Sequence, residues 1–538
     1  MSGEYKIIDN VIYTPDASRV LDDRGIGWFY YEHLIKHKNR RAQINGLTGE
    51  TENFENLFVR CVRVAIGLKT KGISYGDTIS VCTYNHFNSC VPHISAMFLG
   101  AKIAGFDPSL SVRDAVHLFK IAMPKLVFVG EESVALMEDV IREVGSATIV
   151  VVFGATDKHV PFSEISQPSS EESTFQPIIV KSIKDVAIII FSSGTSGLPK
   201  GVCHTHHSVL CRNCVPIDYG VDVSETFASD SPYWNVFIYT LHYSIQNGTA
   251  RLLYPKFYFE NPWKIFSIKV SSVFLNLTEL MLLTNTPKPK DIDISALKLI
   301  TTAGSPTSKS HMSKIKEAFP NVSLRICYGL SEVFQVLTCF DMEEPRHVEL
   351  MKHKVNSCGL PKSGITIKVV DLNTGEVLGS HQKGELRIKT EMQLSGYYNT
   401  DSREAWDDDG WLKTGDYGYY DEDCCFYILD RVKEMFKYQY WHIVPAVLEG
   451  ILTAHPDVLR AVVIGRPHEV DEHHPMAVVQ LNQNATATEA ELVQYMKDKV
   501  EDRQQLRGGV KFIEKFPITP SGKINRWMLK QMVLSGDI

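Results

Sequence analysis

The stretch Phe191-Ser-Ser-Gly-Thr-Ser-Gly-Leu-Pro-Lys-Gly-Val202 most narrows what this chain can fold into. It follows Val186-Ala-Ile-Ile-Ile190, an apolar run with the length and β-branching of a buried strand. The stretch therefore reads as a loop leaving the end of that strand. Its three glycines and four small hydroxyl residues let the backbone turn sharply and direct successive N–H groups at an anion. Lys200 adds a mobile positive charge, and Pro199 limits how far the loop wanders. A flexible surface turn would need no such cation beside it, so the loop is read as a phosphate cradle. It is not a P-loop, because Lys200 is followed by glycine and the G-x-x-x-x-G-K-[ST] spacing is absent. A helix is expected just beyond it, over 204–214.

Around this loop the hydrophobic period alternates between helix and strand. Helical spacing over 54–72 leads to a strand at 78–83, a helix at 91–99, a strand at 100–105 and a helix at 111–121. Strands at 126–130 and 148–153 follow, and such alternation means βαβ units around a largely parallel sheet. The Pro/Ser/Glu-rich segment 163–176 reads as a surface connection. Farther on, 297–306 reads as strand and tight turn, with a helix from about Lys309, and 323–332 repeats that plan. A small β-rich region spans 365–418. After Asp430-Arg431 the chain restarts with charged helices, a strand at 461–465 and a final helix beyond Asn525.

At 538 residues the chain exceeds one core. The expected fold is α/β: a large N-terminal domain (1–430) of βαβ sheets plus a small β-rich subdomain, then a small mobile α+β C-terminal domain (431–538).

A formal charge of −7 gives no reason to expect nucleic-acid binding. No apolar run approaches the roughly 20 residues a spanning helix needs, so no transmembrane segment is expected. Met1-Ser-Gly-Glu-Tyr-Lys has neither a secretory core nor the myristoylation pattern. The 11 scattered cysteines suggest reduced thiols inside a cell. Cys211-x-x-Cys214, after His204, His206 and His207, offers zinc-type ligands. A second pair at matching spacing is missing, so no metal site is assigned there.

Further stretches carry chemistry. Tyr328-Gly-Leu-Ser-Glu332 offers an aromatic face that suits a base and a hard carboxylate oxygen that suits magnesium. Thr302-Ala-Gly-Ser-Pro306 is a turn of small residues along which a flat ligand can approach the main chain. In Trp411-Leu-Lys-Thr-Gly-Asp416 the carboxylate can accept two hydrogen bonds from a vicinal diol. Tyr427-Ile-Leu-Asp-Arg-Val-Lys-Glu434 and Pro520-Ser-Gly-Lys-Ile-Asn-Arg526 complete the series.

In this order, over about residues 50–529, these motifs resemble the adenylate-forming superfamily, nearest its luciferase and 4-coumarate–CoA ligase branch. The resemblance implies ATP, Mg²⁺ and CoA as cofactors and a small-molecule carboxylic acid as substrate. It assigns Ser192, Ser193, Gly194, Thr195, Ser196, Gly197 and Lys200 to the phosphates. Gly304, Ser305 and Pro306 would line the adenine and acyl pocket; Tyr328 and Gly329 would meet the adenine, and Ser331 a phosphate. Glu332 would hold Mg²⁺, Asp416 the ribose hydroxyls, Arg431 ribose and phosphate, and Ile428 would be a wall near the adenosine. Asp430 would be the hinge. Lys523 would be the adenylation lysine, and Lys437 would act after domain rotation in the thioester-forming state.

The sequence also departs from that branch. Gln439-Tyr440 replaces the Lys-Gly pair that touches CoA, removing a cation and adding a ring where backbone alone is tolerated. Pro232-Tyr-Trp-Asn-Val-Phe237 stands where the luciferase branch has Phe-His-His-Gly-Phe-Gly, so Trp234, Asn235 and Phe237 would line the acyl pocket. Val236 and Ile238 would shrink that pocket against a bulky luciferin. Ile326-Cys327 replaces the usual Gln-Gly.

The expected activity is acyl-adenylate formation from a fatty or aryl acid with pyrophosphate release, then transfer to CoA. The alternatives are a luciferase-like monooxygenase and a nucleotide-binding protein that has lost CoA transfer. The expected compartment is the cytoplasm, with the peroxisome as alternative, since Ser535-Gly-Asp-Ile538 is not a Ser-Lys-Leu-type address. Nothing in the sequence sets an oligomeric state.

Overall fold

Continuous apolar runs become fully buried parallel strands, and amphipathic helices cover them. The computed structural model describes residues 5–15, 21–192, 199–212, 225–439, 441–518 and 524–538. An eight-stranded sheet is centred on Lys102–Phe106 and Thr78–Cys82. Leu126–Val129 and Ile149–Val152 extend it in parallel on one side, and Val186–Phe191 on the other. Every residue of Thr78–Cys82 is buried, as both faces of a helix-covered parallel sheet require. Helices Val112–Ala122 and Val134–Val144 connect these strands, the first capped by Ser111, whose Oγ accepts from Asp114 N.

A second, seven-stranded sheet runs in the order Ser323–Ile326, Leu299–Thr302, Ser272–Phe274, Glu225–Ala228, Ala250–Leu253, Arg41–Asn45, Thr51–Asn53. All its pairings are parallel except the final hairpin. The turns at 229–235, 303–306 and 327–332 therefore leave the carboxyl ends of neighbouring strands, where open α/β sheets hold ligands. A third, antiparallel sheet contains Thr366–Val370, Gly384–Lys389, Leu412–Tyr420 and Phe426–Arg431.

Beyond Asp430, an antiparallel sheet of Phe436–Tyr438, Trp441–Ile443, Glu472–Leu481 and Val458–His468 carries helices Pro445–Leu452, Glu489–Lys497 and Arg526–Ser535. It has its own apolar core, including Leu448, Leu452, Val463, Ala477, Val479 and Leu492. Among the described residues, no helix is long and apolar enough to cross a membrane.

Several local expectations are corrected. The phosphate loop is not followed directly by a helix: Gly201–Thr205 first returns antiparallel to Val186–Phe191, and helix His206–Arg212 comes after it. No helix follows Glu332; Tyr328 instead bridges Thr338, so the strand–turn–helix plan is not repeated. The chain after Arg431 restarts with two short strands rather than charged helices, because Phe436 seats its ring against the bare Cα of Gly465. The strand expected at 461–465 is longer, Val458–His468, and pairs with Glu472–Leu481, whose paired histidines obscure the alternation. The β-rich sheet continues through Phe426–Arg431 and recruits Lys6–Ile8 and Val11–Tyr13 from the start of the chain.

Candidate functional site

Tyr328 and Arg431 meet on the carboxylate of Asp416. Asp416 is 3% exposed; its Oδ2 accepts from the Tyr328 hydroxyl at 2.6 Å, and its Oδ1 lies 2.8 Å from Arg431 Nε. Asp416 and Arg431 are register partners across adjoining strands, so the sheet itself fixes this pair. Tyr328 arrives from the carboxyl end of Ser323–Ile326, in the neighbouring sheet. Burial, with the Asp416 charge beside it, pushes the Tyr328 phenol well above its ordinary value, so it stays a donor. Arg431 is held protonated chiefly by Asp416. Ile428 lies on the same strand as Arg431, opposite Gly418.

Glu332 lies four residues beyond Tyr328. Burial pushes its carboxyl up, and Tyr397 donates a hydroxyl hydrogen bond to Oε1 at 3.2 Å. The face of the same Tyr397 ring receives Lys200, whose Nζ stands 4.7 Å from the ring centroid. Tyr397 therefore joins the cation of the phosphate loop to the carboxylate. It sits here because Gly396–Tyr397 pairs with Gly201–Thr205. The sequence reading missed it; the glycine–tyrosine cluster at 396–398 was the available signal. Ser192 and Lys200 close the base of the loop through Ser192 N to Lys200 O at 2.9 Å and Lys200 N to Ser192 Oγ at 3.0 Å. Ser193, Gly194, Thr195, Ser196 and Gly197 lie outside the described residues.

His204 donates from Nε2 to the Ser331 carbonyl at 2.8 Å, pinning the turn before Glu332. Its burial lowers the imidazole pKa to about 4, so it is neutral at pH 7. Gly304 has φ 84°, a left-handed geometry that favours glycine in the turn carrying Ser305 and Pro306. A Cβ at Gly329 would meet the Gln335 carbonyl at 3.4 Å, an ordinary contact distance.

The expected pocket residues have distinct surroundings. Trp234 donates from Nε1 to Asp107 Oδ2 at 3.0 Å, and Ser231 donates to the same oxygen at 2.6 Å. Asn235 opens helix Asn235–Asn247 with its buried Oδ1 lacking a partner among the described residues. Phe237 is buried, its ring 4.7 Å from the guanidinium carbon of Arg251. Gly105 lets the first sheet approach this segment, since a Cβ there would fall 2.2 Å from the Pro232 carbonyl.

The remaining candidates lie in the C-terminal part of the chain. Lys437 is exposed on the hairpin, opposite His442, and its carbonyl accepts from His473 Nδ1. Gln439 takes φ 53° and donates to Asp471 Oδ1 at 2.9 Å. Tyr440 and Lys523 lie outside the described residues. Asp430 Oδ1 accepts from Arg431 N and Oδ2 from Ala446 N, each at 2.8 Å. Burial pushes its carboxyl up to about 6, with Arg526 opposing and Glu449 adding to the shift.

A buried diol acceptor, an aromatic wall and a carboxylate joined to the phosphate-loop lysine can together hold a nucleotide. Residues 31–398 match the profile of the AMP-binding enzyme family, and residues 447–523 match that of the AMP-binding enzyme C-terminal domain. The chain belongs to the AMP-binding enzyme family. It is 30% identical to luciferin 4-monooxygenase of Luciola mingrelica, over 98% of both chains. It is 27% identical to 4-coumarate–CoA ligase 2 of Petroselinum crispum, over 95% of this chain and 94% of that one. The solved luciferase-like enzyme of the nonluminescent mealworm Zophobas morio is 35% identical, with a TM-score of 0.74, over 79% of this chain and all of that one.

Proposed function

We propose that this AMP-binding enzyme activates a fatty or aryl carboxylic acid with ATP and then transfers the acyl group to CoA. A carboxylate oxygen attacks the α-phosphorus as the bond to pyrophosphate breaks. The CoA thiol then attacks the mixed-anhydride carbonyl, and AMP leaves. The meeting of Tyr328, Asp416 and Arg431 carries this reading. Asp416 has oxygens able to accept the ribose diol, Tyr328 stacks on the base, and Arg431 faces the phosphate side. Glu332 fits a magnesium site, because a carboxylate disfavoured by burial is restored to its charged form by a bound divalent cation. Magnesium held there would neutralise phosphate charge.

The loop 192–200 cradles the phosphates, and Lys523 balances charge at the α-phosphate during adenylation. The domain junction is proposed at Asp430, with 431–538 rotating to bring Lys437 over the site for thiol attack. Gln439 and Tyr440 bear on that second step. Trp234, Asn235 and Phe237, with the turn at Gly304, Ser305 and Pro306, form the proposed acid-binding region.

The test separates the half-reactions. Purified enzyme is given Mg-ATP and a panel of fatty and aryl acids, and acid-dependent pyrophosphate release is followed before and after CoA is added. Pyrophosphate and thioester together support the full proposal. Pyrophosphate without thioester restricts the enzyme to adenylation, and silence in both overturns the reading. A second reading, oxidation of the adenylate by O₂, has the luciferase relatives in its favour. Acid- and ATP-dependent oxygen consumption would establish it.

A further inference from the structure

Helix His206–Arg212 places His207 and Cys211 one turn apart, and a loop distant in sequence brings Glu391 to them. Cys211 Sγ stands 3.6 Å from Glu391 Oε2 and 3.6 Å from His207 Nε2, with Nδ1 at 3.7 Å. A zinc–sulfur bond of about 2.3 Å and zinc–nitrogen or zinc–oxygen bonds of about 2.0–2.2 Å, at the tetrahedral angle, separate ligand atoms by about 3.5–3.7 Å. The two edges at sulfur match that range, and the three ligand atoms all lie within 4.8 Å of one another. We propose that His207, Cys211 and Glu391 form a zinc site distinct from the nucleotide constellation.

The chemistry of the three donors agrees with the spacing. A thiolate selects a soft or borderline cation over magnesium, and imidazole and carboxylate complete a set typical of zinc. One thiolate and one carboxylate balance the charge of Zn²⁺, so the loaded site is electrically neutral where Cys211 is buried. Glu391 is exposed and His207 half-buried. The pairing of Cys211 with Cys214 is not needed; Cys214 lies outside the described residues. A second cluster, His468, Asp471 and His474, is less suitable. Its two rings stack 3.8 Å apart, and both aim a nitrogen at one Asp471 oxygen.

The position gives the zinc site a consequence. Helix His206–Arg212 follows the strand that closes the phosphate loop. Glu391 begins the segment in which Leu394 N donates to the Glu332 carbonyl at 2.7 Å and which ends at Tyr397. Zinc would clamp these two segments together and so fix the spacing of Lys200, Tyr397 and Glu332. This effect does not depend on which acid is activated.

The test uses full-length protein stripped with a chelator and titrated with Zn²⁺ against a chromogenic competitor, then with Co²⁺. One equivalent per chain is expected, with a near-ultraviolet thiolate-to-cobalt band. Cys211→Ser should abolish the band. His207→Gln and Glu391→Gln should each weaken zinc binding at least about 100-fold, since even residues that only orient a ligand cost about 10–100-fold. His474→Ala should leave the band and the stoichiometry unchanged. Absence of the cobalt band in the unaltered protein overturns the proposal, as does undiminished binding in His207→Gln and Glu391→Gln. If Cys211→Ser fails to fold, those two substitutions at more accessible positions decide the matter, with circular dichroism confirming that they are folded.

Discussion

The two sides of Asp430 are built on different physical terms. On the N-terminal side, Asp416 and Tyr328 are buried, and Asp416 holds Arg431, the first residue past Asp430, through strand register. On the C-terminal side, Lys437 is exposed on a three-residue strand within a unit that has its own core. The contacts between the two sides include Ala446 N to Asp430 Oδ2 at 2.8 Å and Lys314 Nζ to the Thr453 carbonyl at 3.3 Å. Each has one charged partner, and hydrogen bonds of that kind are worth about 1.5–3 kcal/mol. Asp416 and Tyr328 are thus held by buried contacts within the N-terminal sheets, while Lys437 stands exposed on a unit with its own core. That contrast is the physical support for the proposed rotation.

The largest expected effect lies on the N-terminal side. Asp416→Ala removes the acceptor of the Tyr328 hydroxyl and the partner of Arg431, whose side chain is 45% exposed, and loss of such a charge-assisted contact costs about 1.5–3 kcal/mol. Acid-dependent pyrophosphate release should fall about 10²-fold. A loss under tenfold would break the comparison.

Lys437→Ala tests the other side. Loss of one charge-assisted contact, about 1.5–3 kcal/mol, should lower thioester formation tenfold or more. Pyrophosphate release should stay within about twofold, because Lys437 is exposed on its own strand and makes no described contact with Asp416 or Glu332. Equal losses in both half-reactions would show that the two sides are not separable.

Asp430 sharpens the contrast through pH. Its docked pKa of about 6 lies above the ordinary 3.8, so the docked arrangement binds the proton more tightly. That contribution is fully present below pH 3.8 and is lost as pH rises through 6. It amounts to about 3 kcal/mol at most. Proteolysis of the 431–445 segment should therefore accelerate between pH 5 and 7.5, and Asp430→Asn should flatten the profile.

Asn235→Ala should have the smallest effect on stability. Removing a carbonyl that is buried without a partner should change thermal unfolding by no more than about 1 kcal/mol. Acid preference should shift instead, read as relative pyrophosphate rates across the panel. A large loss of stability would mean that Asn235 has a structural role.

The alternating periods made the βαβ architecture legible from the sequence, because strand burial and turn chemistry are local properties, and the family was legible through the resemblance of the ordered motifs. Tyr328, Glu332, Asp416 and Arg431 were singled out from short motifs for the same reason. The sequence did not show that Tyr328 donates to Asp416, that Tyr397 joins Lys200 to Glu332, or that Glu391 reaches Cys211. It also misread the restart after Arg431, where Phe436 needs the bare Cα of Gly465 to pack as a strand. These depend on which strands are neighbours and in what register, and distant segments settle that only when they bury one another. Local sequence thus determined which groups are present and what chemistry each can do. Only the tertiary structure decided which groups meet, because the contacts that bring them together are long-range.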